Sequence, residues 1–278
     1  MRIIEFIKAI IIGIVEGITE WLPISSTGHM ILLDQFLNLD VSAEFLEMFL
    51  VVIQLGAICA VPVLFWDRLY PLSRKKSTEE NRAIWSIWGK VIVGAIPAAI
   101  LGLLLDDILD KYLYNYIVVA IALVVYGVLF IIVEKNRAER KFSIESVYDL
   151  SYKDALKIGA FQVLSLIPGT SRSGSTILGG MITGVSREAS AEFSFFMAIP
   201  IMLGASGLKV LKFLIGGFVA SGIEIALLVA GIVVSFAVSL FVIKFLMDFV
   251  KRHDFSAFGV YRIILGVLVV SYFLIKNI

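Results

Sequence analysis

Leu22-Pro23-Ile24-Ser25-Ser26-Thr27-Gly28-His29 and Ile167-Pro168-Gly169-Thr170-Ser171-Arg172-Ser173-Gly174-Ser175-Thr176 each cut an apolar stretch in two. The first break falls within residues 3–37 and the second within residues 154–185. A helix needs about 20 mostly apolar residues to cross a bilayer, because backbone groups in hydrocarbon must pair internally. The halves on either side of each break are too short for that. Irregular backbone at membrane depth is tolerated only where protein buries it or where it lines a cavity. Both regions are therefore read as re-entrant hairpins whose polar tips meet inside the membrane.

Working outward from the breaks, six longer apolar runs read as spanning helices, at about 44–66, 84–105, 112–133, 188–212, 219–247 and 255–276. Lys90 is the only charge in Ala83 to Leu105, and Arg262 the only one in Phe255 to Ile275. The composition agrees. The 278 residues are 59% hydrophobic and 17% charged, with a mean hydropathy of +0.96. Soluble domains average about 45–50% apolar and about 25% charged. So little polar surface excludes ordinary cytosolic enzymes, disordered chains and nucleic-acid binders. With 24 Lys+Arg against 23 Asp+Glu, the formal charge of +1 gives no reason to expect a polyanionic partner. Cys59 alone cannot form an intramolecular disulfide, and His29 and His253 are too few for a multi-histidine metal centre. Glu5, Lys8, Glu16 and Glu20 interrupt the N-terminal apolar stretch, and no small-residue cleavage site follows, so no cleaved signal peptide is expected.

The two breaks resemble each other. Leu22-Pro23-Ile24-Ser25-Ser26 aligns with Ile167-Pro168-Gly169-Thr170-Ser171, Ala43-Glu44-Phe45 with Ala191-Glu192-Phe193, and Leu55-Gly56-Ala57 with Leu203-Gly204-Ala205. The chain reads as one integral membrane domain built from two copies, about 1–135 and about 150–278. Each copy is a hairpin followed by three spanning helices. An odd number of crossings inverts the second copy, and inverted repeats with broken helices place binding sites near the midplane. The expected fold is thus an all-α polytopic membrane protein with six transmembrane helices and two re-entrant hairpins in an inverted repeat. Loops 67–83, 134–153 and 248–254 are basic, with Arg68, Arg74, Lys75, Lys76, Arg82, Lys135, Arg137, Arg140, Lys141, Lys153, Lys251 and Arg252. Loops 34–44 and 106–111 are acidic. The positive-inside rule makes the basic side cytoplasmic and both termini external. The first hairpin then enters from outside.

Ionisable residues within membrane segments cost about 2.5–3.5 kcal/mol on insertion scales and are functional by default. Glu16 and Glu20 lie four apart on one helical face, where like charges repel. A divalent cation or an arginine would compensate them, and carboxylates suit Mg²⁺ or Ca²⁺. The run from Gly169 to Thr176 combines glycines, hydroxyls and Arg172. Glycines admit a ligand close to backbone N–H groups, a helix start attracts anions, and arginine grips two phosphate oxygens. That set suits a phosphate or diphosphate held by Gly169, Thr170, Ser171, Ser173 and Thr176. It is not a Walker loop, since Gly-Lys-Ser/Thr is absent. Ser25, Ser26, Thr27 and His29 complete the set, with Ser26 or His29 as nucleophile or base. Asp106, Asp107 and Asp110 read as a solvated acidic loop, His253 as an exposed loop residue, and Gln54 and Gln162 as cavity lining. Trp66, Trp85 and Trp88 read as an interfacial belt.

Together these residues resemble the bacterial undecaprenyl-diphosphate phosphatase family, of the bacitracin-resistance type. Glu16-Gly17-Ile18-Thr19-Glu20-Trp21-Leu22-Pro23-Ile24-Ser25-Ser26-Thr27-Gly28-His29 is similar to its first motif, and Pro168-Gly169-Thr170-Ser171-Arg172-Ser173-Gly174 to its second. Val51-Val52-Ile53-Gln54-Leu55-Gly56-Ala57 is also familial in character, and the likeness runs the length of the chain. Leu50 stands where the family often has a glutamate, with Glu47 nearly one turn earlier.

The resemblance implies a bacterial plasma-membrane enzyme that hydrolyses undecaprenyl diphosphate to the monophosphate. That reaction recycles the lipid carrier of peptidoglycan synthesis. It also implies dependence on a divalent cation and an active site opening outward. On the reading drawn from the residues, Glu16 and Glu20 hold the cation (Mg²⁺ or Ca²⁺), Arg172, Ser171 and Ser173 hold the phosphate to be removed, and Ser26 or His29 supplies the nucleophile or base, with attack by Ser26 and His29 as its base preferred and attack by metal-bound water the alternative. The expected partners are the lipid and the membrane, with a homo-oligomer allowed and no nucleic acid. The rival readings are a transporter or flippase for a phosphate-bearing lipid and a non-catalytic lipid-binding subunit.

Overall fold

The computed structural model describes residues 2–137 and 142–276. Its elements are α-helices, in the order α1 (Arg2–Thr19), α2 (Ser26–Leu37), α3 (Ala43–Val52), α4 (Gln54–Leu64), α5 (Trp66–Leu69), α6 (Thr78–Leu113), α7 (Tyr116–Arg137), α8 (Tyr152–Val163), α9 (Arg172–Ile182), α10 (Arg187–Ile215), α11 (Gly222–Arg252) and α12 (Ser256–Lys276). A 3₁₀ turn, Leu164–Leu166, follows α8. Six segments are long and apolar enough to cross a membrane: Ala43–Leu64, Thr78–Leu105, Tyr116–Asn136, Arg187–Ile215, Gly222–Arg252 and Ser256–Lys276. The protein is a multi-pass membrane protein.

Helix starts follow local chemistry. Ser77, Ser151 and Ser221 each open a capping box with Glu80, Asp154 and Glu224, so that two orphan amides are satisfied reciprocally. The span Ala43–Leu64 is broken at Ile53 into α3 and α4. The expected loop bounds need correction: Lys251 and Arg252 belong to the last turn of α11, and Arg82 to the start of α6. Residues 106–111 are not a loop: α6 continues through them to Leu113, and α7 begins at Tyr116 rather than at 112. Leu103 to Leu113 contains no glycine or proline, and the intervening leucines carry the helix past the three aspartates, since charge alone does not end it. The reversal comes at Tyr114-Asn115, where Asn115 Oδ1 accepts from the Val118 amide at 3.0 Å. The side chains of Asp106, Asp107, Asp110 and Arg137, and residues Arg140 and Lys141, lie outside the described residues.

Helices pack where small residues let backbones approach, the common device in membranes. A Cβ on Gly127 of α7 would lie 2.6 Å from Gly259 O of α12, and one on Gly259 2.7 Å from Gly127 O. The same closeness joins α8 to α6, where a Cβ on Gly159 would meet Gly94 O at 2.2 Å, and α1 to α11, where one on Gly13 would meet Gly231 O at 2.8 Å. Thus α1 runs along α11, α8 along α6 and α7 along α12. The main core gathers Trp21, Phe193, Phe195 and Phe196 with residues of α4, α6, α9 and α11. Phe45, Phe49 and Phe213 centre a second cluster beside α1. Toward the ends of α7 and α10, Arg187 pairs with buried Glu134, which also accepts from the Phe255 amide at 2.9 Å.

Candidate active site

The two polar breaks come together between the helices. The first joins α1 to α2 through residues 20–25, and the second joins the 3₁₀ turn to α9 through residues 167–171. They are built alike. Ser25 caps α2, with its Oγ accepting from Gly28 N at 3.3 Å; Ser171 caps α9, with its Oγ accepting from Gly174 N at 3.1 Å. Both serines have positive φ, 72° and 73°. Such backbone costs about 1–3 kcal/mol in a non-glycine residue and persists only where the surroundings fix it. Here they do. Ser25 O binds His29 Nδ1 at 2.7 Å, and Ser171 O accepts from both Ser175 N and Ser175 Oγ at 2.9 Å. His29 and Ser175 thus hold equivalent places four residues after their caps.

Across the junction the groups interlock. Arg172 donates from Nη2 and Nε to Glu20 Oε1, at 2.9 and 3.3 Å, and from Nη1 to Ser194 O at 2.7 Å and Ser194 Oγ at 3.2 Å. Its guanidinium carbon lies 5.7 Å from the Trp21 ring centroid. Ser173 Oγ donates to Glu20 O at 3.0 Å and stands 3.2 Å from Ser171 Oγ. Thr176 Oγ1 donates to Arg172 O at 2.9 Å and lies 2.6 Å from Ser194 Oγ, whose hydroxyl can donate in return. The Ser26 hydroxyl and the Glu16 carboxyl are polar neighbours of the Glu20 carboxylate. Glu16, Glu20, Ser25, Thr170, Ser173 and Thr176 are all buried. Two carboxylates, one guanidinium and a fan of hydroxyls around two helix N-termini form a donor set of the chemistry that suits an anion.

Residues 9–268 match the family described as Bacitracin resistance protein BacA. The chain belongs to that family. It is similar to the undecaprenyl-diphosphatase of Acetivibrio thermocellus, 58% identical over 271 residues covering 98% of each chain. It is likewise similar to the undecaprenyl-diphosphatase of Enterococcus faecalis, 56% identical with 96% of each chain covered, and to that of Streptococcus thermophilus, 53% identical with 99% of this chain and 96% of the relative covered.

Not every residue singled out in the sequence faces the Arg172–Glu20 junction. A carbonyl oxygen can face only a donor, so the proton of neutral His29 sits on Nδ1 toward Ser25 O, and Nε2 accepts from Tyr261 Oη at 2.7 Å. The two rings stack with centroids 5.6 Å apart. Both His29 nitrogens are therefore engaged, while Ser26 lies beside Glu20. Gly169 approaches α7 so closely that a Cβ would sit 2.5 Å from Val119 O, and its φ is +92°. The Gly169 and Thr170 carbonyls turn to Arg262 rather than to Arg172. Thr27 is half-buried in the first turn of α2. Gln162 is fully buried, and neither end of its amide meets a protein partner. Glu47 is exposed and pairs with Lys209, away from the site. His253 is exposed and stacks on Phe249.

A divalent cation fits the carboxylate pair in part. Glu16 Oε1 is buried with no hydrogen-bond partner, directly beside a second carboxylate. An orphan acceptor of that kind suits a hard cation. No group of three or more His, Cys, Asp or Glu side chains converges among the described residues, so phosphate oxygens and water would complete the six ligands that Mg²⁺ requires. Four neighbours of the junction were not among the candidate site residues: Trp21, Ser194, Tyr261 and Arg262. Arg262 alone carried a signal, as the single charge in Phe255 to Ile275. Ser194 and Tyr261 look like ordinary helix residues until the fold places them.

Proposed function

We propose that this chain hydrolyses undecaprenyl diphosphate to undecaprenyl phosphate and inorganic phosphate, returning the lipid carrier to peptidoglycan synthesis and so conferring bacitracin resistance. The observation that carries the reading is the convergence of Arg172, Glu20, Glu16 and Ser26 where two helix N-termini meet. The names of the relatives supply the lipid. Arg172, with Ser171 and Ser173, grips the terminal phosphate, which replaces Glu20 on the guanidinium. Ser26 attacks that phosphorus and passes its proton to the neighbouring Glu20 carboxylate. Undecaprenyl phosphate leaves as the P–O–P bond breaks, and water then releases phosphate from Ser26. His29, with both ring nitrogens taken by Ser25 O and Tyr261, holds the first turn of α2 in place beside Ser26. A cation held by Glu16 and Glu20 would neutralise charge on the transferring group.

The two halves are inverted repeats on this reading. Exchanging them maps the α1–α11 packing onto α8–α6 and the α7–α12 packing onto itself, which supports the exchange, as do the matched serine caps. We further infer that both broken helix pairs are re-entrant, that the basic loops are cytoplasmic and that the site opens outward. Purified protein in detergent should release phosphate from a prenyl diphosphate without a gradient or partner. Translocation in proteoliposomes without phosphate release would instead establish a flippase. Rapid quenching with substrate labelled at the terminal phosphorus tests the nucleophile: acid-stable label on Ser26 is expected, acid-labile label on His29 would transfer the role, and no label in a single turnover would assign attack to water.

A further inference from the structure

Arg262 lies along α12 and is fully buried, although it is the one charge between Ser256 and Ile275. Its Nη1 donates to Pro23 O at 3.1 Å, and its Nη2 to Gly169 O and Thr170 O, both at 2.9 Å. One guanidinium therefore holds the first break with one nitrogen and the second break with the other. The need is physical. Pro23, Gly169 and Thr170 lie outside any helix, and a carbonyl that leaves a helix in apolar surroundings must find a donor that water does not supply. The planar fork of arginine reaches acceptors on two separate segments at once, which the point charge of lysine does not. The guanidinium is backed by Tyr126, whose ring centroid is 5.4 Å away, and its hydrogen-bond partners are carbonyl dipoles rather than a carboxylate.

We propose that Arg262 is a positioning residue that clamps the two tips in register and so sets the spacing between Arg172 and Ser173 on one tip and Glu20 and Ser26 on the other. Pro23 lies three residues from both Glu20 and Ser26, and Thr170 two from Arg172, so movement at the clamped carbonyls transmits directly to the reacting groups. The catalytic part of the proposal rests on the phosphatase reading; the clamp itself does not. A misplacement of about 1 Å at a reacting centre can cost on the order of 10²-fold in rate.

The test uses Arg262→Met and Arg262→Lys in the full chain, purified in detergent, with hydrogen–deuterium exchange and prenyl-diphosphate turnover measured together. For Arg262→Met, exchange should accelerate at residues 22–29 and 167–176 together, while α7 and α10 keep parental protection, and kcat should fall by on the order of 10²-fold with KM little changed. Arg262→Lys should fall between parent and Arg262→Met in both readouts. Parental protection at both tips, acceleration spread evenly over the molecule, or an unchanged kcat would each overturn the proposal. Should Arg262→Met not fold, Arg262→Lys decides by the same criteria. A parent chain without turnover would sink the phosphatase reading, and the exchange pattern would still decide the clamp.

Discussion

Arg172 spends every guanidinium nitrogen on two partners, the Glu20 carboxylate and Ser194. A fork geometry of this kind is not reproduced by an ammonium. Arg172→Lys should therefore lose on the order of 10²–10³ in phosphate release while keeping its charge, and saturation kinetics on a prenyl diphosphate will show the loss in kcat. Glu16 calls for a different experiment. Its buried Oε1 lacks a partner, so a cation is expected to complete it. Excess chelator should abolish turnover, Mg²⁺ or Ca²⁺ should restore it, and Glu16→Gln should demand more cation for half-maximal rate. Full turnover in chelator would dispose of the metal role. At this scale the sequence was informative wherever a residue type was improbable in hydrocarbon: Glu16, Glu20 and Arg172 stood out by charge alone. Ser194 and Tyr261 carry no such mark, because serine and tyrosine are unremarkable in a helix until a neighbour makes use of them.

Between elements, the spacing of helices is set by glycines that admit a neighbouring backbone. Gly56 of α4 is the extreme case, since a Cβ there would lie 2.1 Å from Ile232 O of α11. Gly204 of α10 has open space around the same position. Gly56→Ala should therefore destabilise the fold by about 1–3 kcal/mol through overpacking. Gly204→Ala should be neutral or stabilising by up to about 1 kcal/mol, from helix propensity. Thermal unfolding of both variants in the same detergent checks the pair, and equal shifts would refute the close-packing argument. Hydropathy located all six apolar spans to within a few residues at most ends, but it misjudged the end of α6. Acidic residues at 106, 107 and 110 suggested a loop, whereas helix geometry stops only where backbone propensity or a cap stops it. The break at Ile53 was equally invisible, since Val51-Val52-Ile53-Gln54 contains no breaker.

For the whole molecule, orientation is the property that charge patterning alone addresses. With Cys59→Ala as background, Lys75→Cys should resist an impermeant thiol reagent in intact cells, while Asp40→Cys should react; both positions are exposed. The reverse pattern would invert the protein and move the first broken pair to the cytoplasmic side. The sequence by itself determined that the chain lives in a membrane, where it crosses, where its helices fail and which charged groups those failures carry. These are local matters, governed by the cost of exposing polar groups to hydrocarbon. Only the tertiary structure decided which groups meet. It set Arg172 against Glu20, aimed His29 at Tyr261, and tied both tips to Arg262, residues separated by up to 239 positions along the chain. Contacts at that separation depend on the packing of α1 on α11, α8 on α6 and α7 on α12. No periodicity encodes that packing, because an apolar helix presents much the same surface to lipid as to another helix.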